Sequence, residues 1–209
     1  MEIKILNVTY GLFKNLNITI LEGVTGVTGK PASGKTLFLH ILAGLIKPNS
    51  GKVELMGAST PITGITFEVP EENILLPTVY DEVAFGIKNY KRDVNLIEKT
   101  IKFFDLDKSK KTEQLSYTEK KLLSLASLSY SPEIIFLDDP LRGLYSEYRD
   151  KVAQFLSQLV KTAKITVITG LIESLPMDIC NRIIYLEQGK VKFYGDTKTF
   201  KRKLQYLKQ

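Results

Sequence analysis

What this chain lacks bounds much of what it can do. It has one cysteine, Cys180, which forbids an internal disulfide and suits a reducing compartment. The plain reading of that residue is a buried, unreactive thiol. His40 is the only histidine, so any chemistry that needs a histidine elsewhere is excluded. No apolar run approaches the roughly 18 residues of a membrane-spanning helix, and the start, Met1-Glu2-Ile3-Lys4, lacks the apolar core of a signal peptide. A soluble, cytoplasmic protein is the expectation. Internal repeats and low-complexity segments are also missing.

What is present is enough for a full core. With 209 residues and 44% apolar content the chain fits one domain, or one domain with an inserted lobe. Twenty-nine Lys and Arg against 23 Asp and Glu give a net charge of +6, concentrated mainly between Lys198 and Lys208. Solvated helix faces usually account for such a balance, so it points only weakly to acidic lipid or nucleic acid.

The stretch Gly29-Lys30-Pro31-Ala32-Ser33-Gly34-Lys35-Thr36 fits G-x-x-x-x-G-K-[ST]. An apolar strand pattern (Val24 to Thr28) precedes it and a helical one (Lys35 to Leu45) follows, which a chance glycine-rich turn does not explain. In such a loop, backbone N–H groups from Gly29 through Leu37 curl around phosphate, and the positive end of the next helix points at the same anion. Lys35 reaches the β- and γ-phosphates of a nucleotide, and Thr36 places its hydroxyl on Mg²⁺.

Around this loop the chain alternates strand and helix patterns. Short β-type runs cover Ile3 to Val8 and Leu16 to Leu21. Tyr10, just after the first, is a candidate to stack on an adenine ring, and ordinary core cover by Tyr10 or Phe13 is equally open. Strands follow at Lys52 to Leu55 and Ile62 to Phe67, and then Pro70 and Pro77 bracket the acidic loop Glu71-Glu72-Asn73. Helical patterns at Thr78 to Tyr90 and Val94 to Phe104 interrupt the alternation, as an inserted lobe does. Ser116 and Glu119 have the S-x-x-E spacing of a capping box ahead of the apolar run Leu122 to Leu128. The buried-type strand Ile134 to Leu137 ends in Asp138-Asp139-Pro140, where a phosphate-loop protein usually places the carboxylate behind its Mg²⁺. A helix at Ser146 to Ala163, strands at Ile165 to Thr169, Arg182 to Leu186 and Lys190 to Tyr194, and a closing helix at Thr197 to Leu207 complete the pattern.

In this order the landmarks resemble the ATP-binding-cassette family along essentially the whole chain. Gly29 to Thr36 resembles its Walker A loop, Ile134 to Asp138 its Walker B strand, and Leu115 to Glu119 stands where the family has L-S-G-G-Q. The segment from Phe67-Glu68 through Thr78-Val79-Tyr80-Asp81-Glu82-Val83-Ala84-Phe85-Gly86 looks like the Q-loop region of cassettes in energy-coupling-factor importers. The resemblance implies an α/β phosphate-loop NTPase cassette, with a mainly parallel central sheet and an antiparallel β portion on the N-terminal side. It implies one domain over 1–209, with a core of about 1–68 and 130–209 and a helical lobe of about 69–129. It further implies that two cassettes close head to tail over two ATP molecules with Mg²⁺, each held by the Walker motifs of one subunit and the signature of the other: the loop and Glu68 on this chain's nucleotide, Ser116 on the partner's, with Thr36 and Asp138 on the metal, Glu68 possible there too, and Lys35 and Asp139 catalytic. Expected partners are a second cassette, as a heterodimer, and an integral membrane transporter subunit at the cytoplasmic face of the membrane, with no nucleic acid.

Several positions depart from the family pattern. Glu68 stands at the Q-loop glutamine, Asp139 at the catalytic glutamate, Gly170 at the switch histidine and Tyr145 at the D-loop aspartate. Asp139 is one methylene short for a general base, and Gly170 has no side chain to hold a γ-phosphate. Tyr117 and Thr118 replace glycines that allow close backbone approach to phosphate, and Glu119 is expected to serve its own helix cap. Three readings follow: an ATPase subunit of a transporter, a degenerate cassette that binds ATP with little hydrolysis, and a soluble cassette acting on nucleic acid. The third is the weakest, because the long coiled-coil insertions or tandem cassettes of such proteins are not in this chain.

Overall fold

The computed structural model describes residues 1–207; Lys208, at the end of the basic run, lies outside the described residues. Two long amphipathic strands, β1 (Glu2–Tyr10) and β2 (Phe13–Leu21), form an antiparallel hairpin, and β4 (Ser50–Met56) pairs with the other edge of β1. In β1, Ile3 and Ile5 enter the core, and an irregularity after Ile5, where Asn7 takes φ 52°, changes the alternation so that Val8 and Tyr10 join the same core.

The central sheet contains β3 (Gly23–Gly29), β5 (Thr63–Thr66), β6 (Ile134–Leu137), β7 (Ile165–Thr169), β8 (Arg182–Glu187) and β9 (Lys190–Asp196). Its order is β5-β6-β7-β3-β8-β9; the first five strands are parallel and β9 runs antiparallel to β8. Every residue of β6 and β7 is buried, the continuous apolar run that a parallel strand covered on both faces needs. Ile134 and Phe136 pack with β1, β2 and α1 (Lys35–Leu42) on one face, while Ile135 and Leu137 pack with the remaining helices on the other.

Those helices are α2 (Val79–Asn89), α3 (Asn95–Phe103), α4 (Tyr117–Ala126), α5 (Ser146–Thr162) and α6 (Thr197–Leu207). Between β5 and β6 the chain carries only helices, short 3-10 turns and loops, plus one isolated bridge between Thr78 and Lys111. The capping box forms as the sequence predicts: Ser116 Oγ accepts from Glu119 N, and Glu119 Oε2 accepts from Ser116 N. Thr78 caps α2 in the same way, accepting from Asp81 N.

Helix α1 ends at Leu42, three residues before the apolar pattern does. Ala43 closes it and Gly44 turns out with φ 74°, which leaves Leu45 exposed. Cys180 is buried and desolvation pushes its thiol up to about 12, so it is an inert core group. Among the described residues no helix is long and apolar enough to cross a membrane.

Candidate functional site

Because five neighbouring strands run parallel, their C-terminal ends share one edge of the sheet, and the loops leaving that edge meet. They enclose a cleft of about 570 Å³ lined by the loop residues Pro31 to Leu37, Glu68 after β5, Asp138, Asp139 and Arg142 after β6, and Thr169 and Leu171 at β7. Leu12, His40 and Ile46 complete the wall, with the His40 ring set edge-on to Phe67 at 5.5 Å between centroids.

The loop has the backbone its glycines require. A Cβ on Gly29 would lie 2.2 Å from the carbonyl oxygen of Leu186, and Gly34 holds φ 102° at the entry to α1. Ala32 takes the same left-handed region at φ 59°. The turn closes through Ser33 N to Lys30 O, and Phe38 N bonds Gly34 O to start α1. The first N–H groups of α1 therefore face the cleft with the positive end of the helix behind them. Lys35 curls over this loop, its Nζ donating to Gly29 O at 3.1 Å and Lys30 O at 3.0 Å. Burial pushes its amine below the usual lysine range, and the carboxylates of Asp139 and Asp138 oppose that shift.

The pairing of β6 with β7 sets Leu137 opposite Ile168, which puts Asp138 beside Thr169. Asp138 Oδ1 accepts from Thr169 Oγ1 and, at 3.2 Å, from Thr36 Oγ1. Asp138 Oδ2 is buried and has no protein partner. A buried carboxylate oxygen left over beside a threonine hydroxyl at the end of a phosphate loop fits a hard cation such as Mg²⁺, which takes few protein ligands and fills its shell with phosphate and water. Thr36 and Asp138 are the residues that would hold it, and the ion would supply charge neutralisation on the phosphates.

Asp139 sits at φ 44°, a left-handed conformation that aspartate tolerates better than most residues. Its N–H donates to Thr169 Oγ1, and its Oδ1 accepts from Ser174 Oγ at 3.0 Å. Burial raises its carboxyl above the ordinary range; the Ser174 hydrogen bond and the charges of Lys121 and Arg142 pull it back. Gly170 is as the sequence has it, with no side chain in the cleft; a Cβ there would meet Leu175 Cα and Ser174 Oγ at 3.3 Å.

The structure thus brings together Pro31 to Leu37, Glu68, Asp138 and Asp139, with Gly29 and Lys30 forming the stem of the loop. Two candidates fall outside. Tyr10 packs into the core beneath the N-terminal sheet, because the shifted alternation of β1 turns it inward with Val8, and Leu12 takes the cleft edge instead. Ser116 is at the cap of α4, its hydroxyl engaged with Glu119, and lies outside this chain's own cleft, as expected of a signature residue that serves the partner cassette's nucleotide in the resemblance.

Reading the sequence missed three polar groups here: Arg142, Ser174 and Lys121. Lys121 is 2% exposed and donates to Glu68 O at 2.9 Å. Arg142 pairs with the Glu68 carboxylate. Only the charge of Arg142, three residues past Asp139, was a signal within reach.

A family profile described as ABC transporter matches residues 13–142. The energy-coupling factor transporter ATP-binding protein EcfA2 of Thermotoga maritima is 32% identical over 202 residues, covering 90% of this chain and 76% of the relative. EcfA2 of Acetivibrio thermocellus is 29% identical over 230 residues, covering 95% and 81%. Among solved structures, cbiO1 from Clostridium perfringens, part of the ABC transporter complex cbiONQ, superposes with a TM-score of 0.76 at 23% identity, covering 99% of this chain and 92% of that one. A cassette solved as a dimer in a post-hydrolysis state with ADP and phosphate superposes with a TM-score of 0.78 at 24% identity, covering 93% and 98%. From the family profile and the relative at 32% identity, the chain belongs to the ABC transporter family of ATPases, as an ATP-binding subunit.

Proposed function

We propose that this chain is one cassette of an energy-coupling-factor type importer, peripheral at the cytoplasmic face of the membrane, and that it works as a heterodimer with a more complete cassette. ATP with Mg²⁺ binds at Lys35, Thr36 and Asp138, with Asp139 as the base that orients the attacking water. The relatives named EcfA2 support the importer class. The observation that carries the docking surface is the apolar exposure around the segment 68–86, the stretch most like the Q-loop region of those cassettes. Leu75 is 80% exposed, Phe85 57% and Val69 48%. In this reading the helical stretch 69–129 is a lobe, and a helix of the membrane subunit lies in the groove between it and the core. Charged replacements L75D and F85D are expected to abolish capture by a co-expressed membrane subunit while leaving ATP binding intact. Crosslinks confined to α6 instead would overturn this surface.

A second reading, a cassette that binds ATP with little hydrolysis, is favoured by Gly170 and by the capping box at Ser116. Both leave fewer groups to stabilise a transition state at a shared nucleotide site. Turnover measured alone and with a partner separates the two readings.

A further inference from the structure

The exits of β5 and β6 are neighbours in the sheet, and this brings Glu68 and Arg142, 74 residues apart in sequence, into an ion pair on the wall of the nucleotide cleft. Each member is held by its backbone. Lys121, buried in α4, donates to Glu68 O, and Arg142 N donates to Asp139 O in the turn that follows β6. The side chains remain partly exposed, Arg142 at 56% and Glu68 at 38%. An exposed pair of this kind contributes little, so exchanging its partner costs little. The Arg142 charge is also felt at Lys35, whose charged ammonium form it disfavours, and at Asp139, whose carboxylate it favours. A planar guanidinium with an accessible fork beside the phosphate-loop lysine suits a terminal phosphate, which it can grip with two parallel hydrogen bonds. Nothing from Gly170 competes for that position, since it has no side chain.

We propose that Arg142 recognises the terminal phosphate of a bound nucleoside triphosphate: the triphosphate takes Arg142 from Glu68. This rests on the assignment of the nucleotide to the cleft at Lys35. A diphosphate is too short to make the exchange, so the Glu68–Arg142 pair persists with ADP. Arg142 is then the group that tells the two nucleotides apart within this chain, and Glu68 is its competitor.

The test is equilibrium binding of ADP and of a non-hydrolysable ATP analogue, each with Mg²⁺, to the full chain and to R142A, R142K, E68Q and K35A. R142A is expected to weaken the triphosphate analogue by about tenfold, the loss of one charge-assisted contact, and to leave ADP binding as it was. R142K keeps the charge without the fork and falls between. E68Q removes the competitor and tightens the triphosphate alone. Equal effects of R142A on both nucleotides, no effect on either, or weaker triphosphate binding by E68Q would each overturn the proposal. K35A separates the premise from the proposal: if it leaves both nucleotides bound as before, the site assignment itself has failed. Thermal melts of R142A and E68Q verify that each binding change is read on folded protein, and E68Q decides the matter should R142A not fold.

Discussion

The Ser174 hydroxyl donates to Asp139 Oδ1 at 3.0 Å while Leu171 N donates to that hydroxyl, so the turn after β7 fixes the direction of the carboxylate after β6. Asp139 is 5% exposed and burial is the largest influence on its carboxyl, raising it, with the Ser174 bond the first influence that lowers it. A general base works ionised, and its rate falls as pH drops through its pKa. S174A is therefore expected to move the acid limb of the ATPase pH profile to higher pH, with the alkaline limb unchanged. A pH–rate profile of the two proteins checks this; an acid limb that stays or moves down contradicts it.

The same group sets a stability prediction. A carboxyl raised on folding favours the fold while protonated and opposes it once ionised, so its contribution is lost as pH rises through the folded value. D139N, which keeps an acceptor for Ser174 and carries no charge, is expected to melt higher than the unmodified chain at neutral pH. The difference should close on acidification to about pH 4, near the unfolded value for aspartate. Melting temperatures across pH read it directly, and a difference that grows on acidification would contradict it.

At α4 the capping box satisfies donors that the helix start leaves open, and Glu119 is further held by Lys110 at 2.8 Å. S116A is expected to cost about 1 kcal/mol, a fall in melting temperature of about 2–4 °C for a chain of this size. A melt unchanged by S116A would show that the cap contributes nothing.

Much of this architecture was legible in the sequence. The buried run Ile134–Leu137, the strand Ile165–Thr169 and the helix Thr197–Leu207 stand where periodicity and flanking turns put them. The loop and the strand-end carboxylates were legible for the same reason, since each lies at the end of a strongly patterned strand. Tyr10 was not, because the switch of face at Asn7 depends on one residue's left-handed φ, which apolar alternation does not announce. The extent of α1 was misread because Leu45 and Ile46 continue its apolar pattern past the turn at Gly44. Arg142 and Ser174 carry no periodic signal; their partners are set by which strand ends adjoin, and that is a property of the sheet order.

A nucleotide bound at Lys35 is expected to be hydrolysed slowly by this chain's own groups. If Asp139 stands at the base position and Gly170 at the switch position, as the resemblance implies, the base is one methylene short and the switch contact is missing, and loss of one positioned donor typically costs about 3 kcal/mol of transition-state stabilisation. The most direct measurement is steady-state ATPase of the purified chain beside the same chain carrying Asp139→Glu and Gly170→His together. The histidine requires the turn at Ser174 and Leu175 to yield slightly, since a Cβ at Gly170 lies 3.3 Å from both, so a melt of the double variant accompanies the assay. Slow turnover by the unmodified chain and a gain of about tenfold or more in the folded double variant is the predicted result; brisk turnover by the unmodified chain, or a folded double variant with no gain, would contradict it.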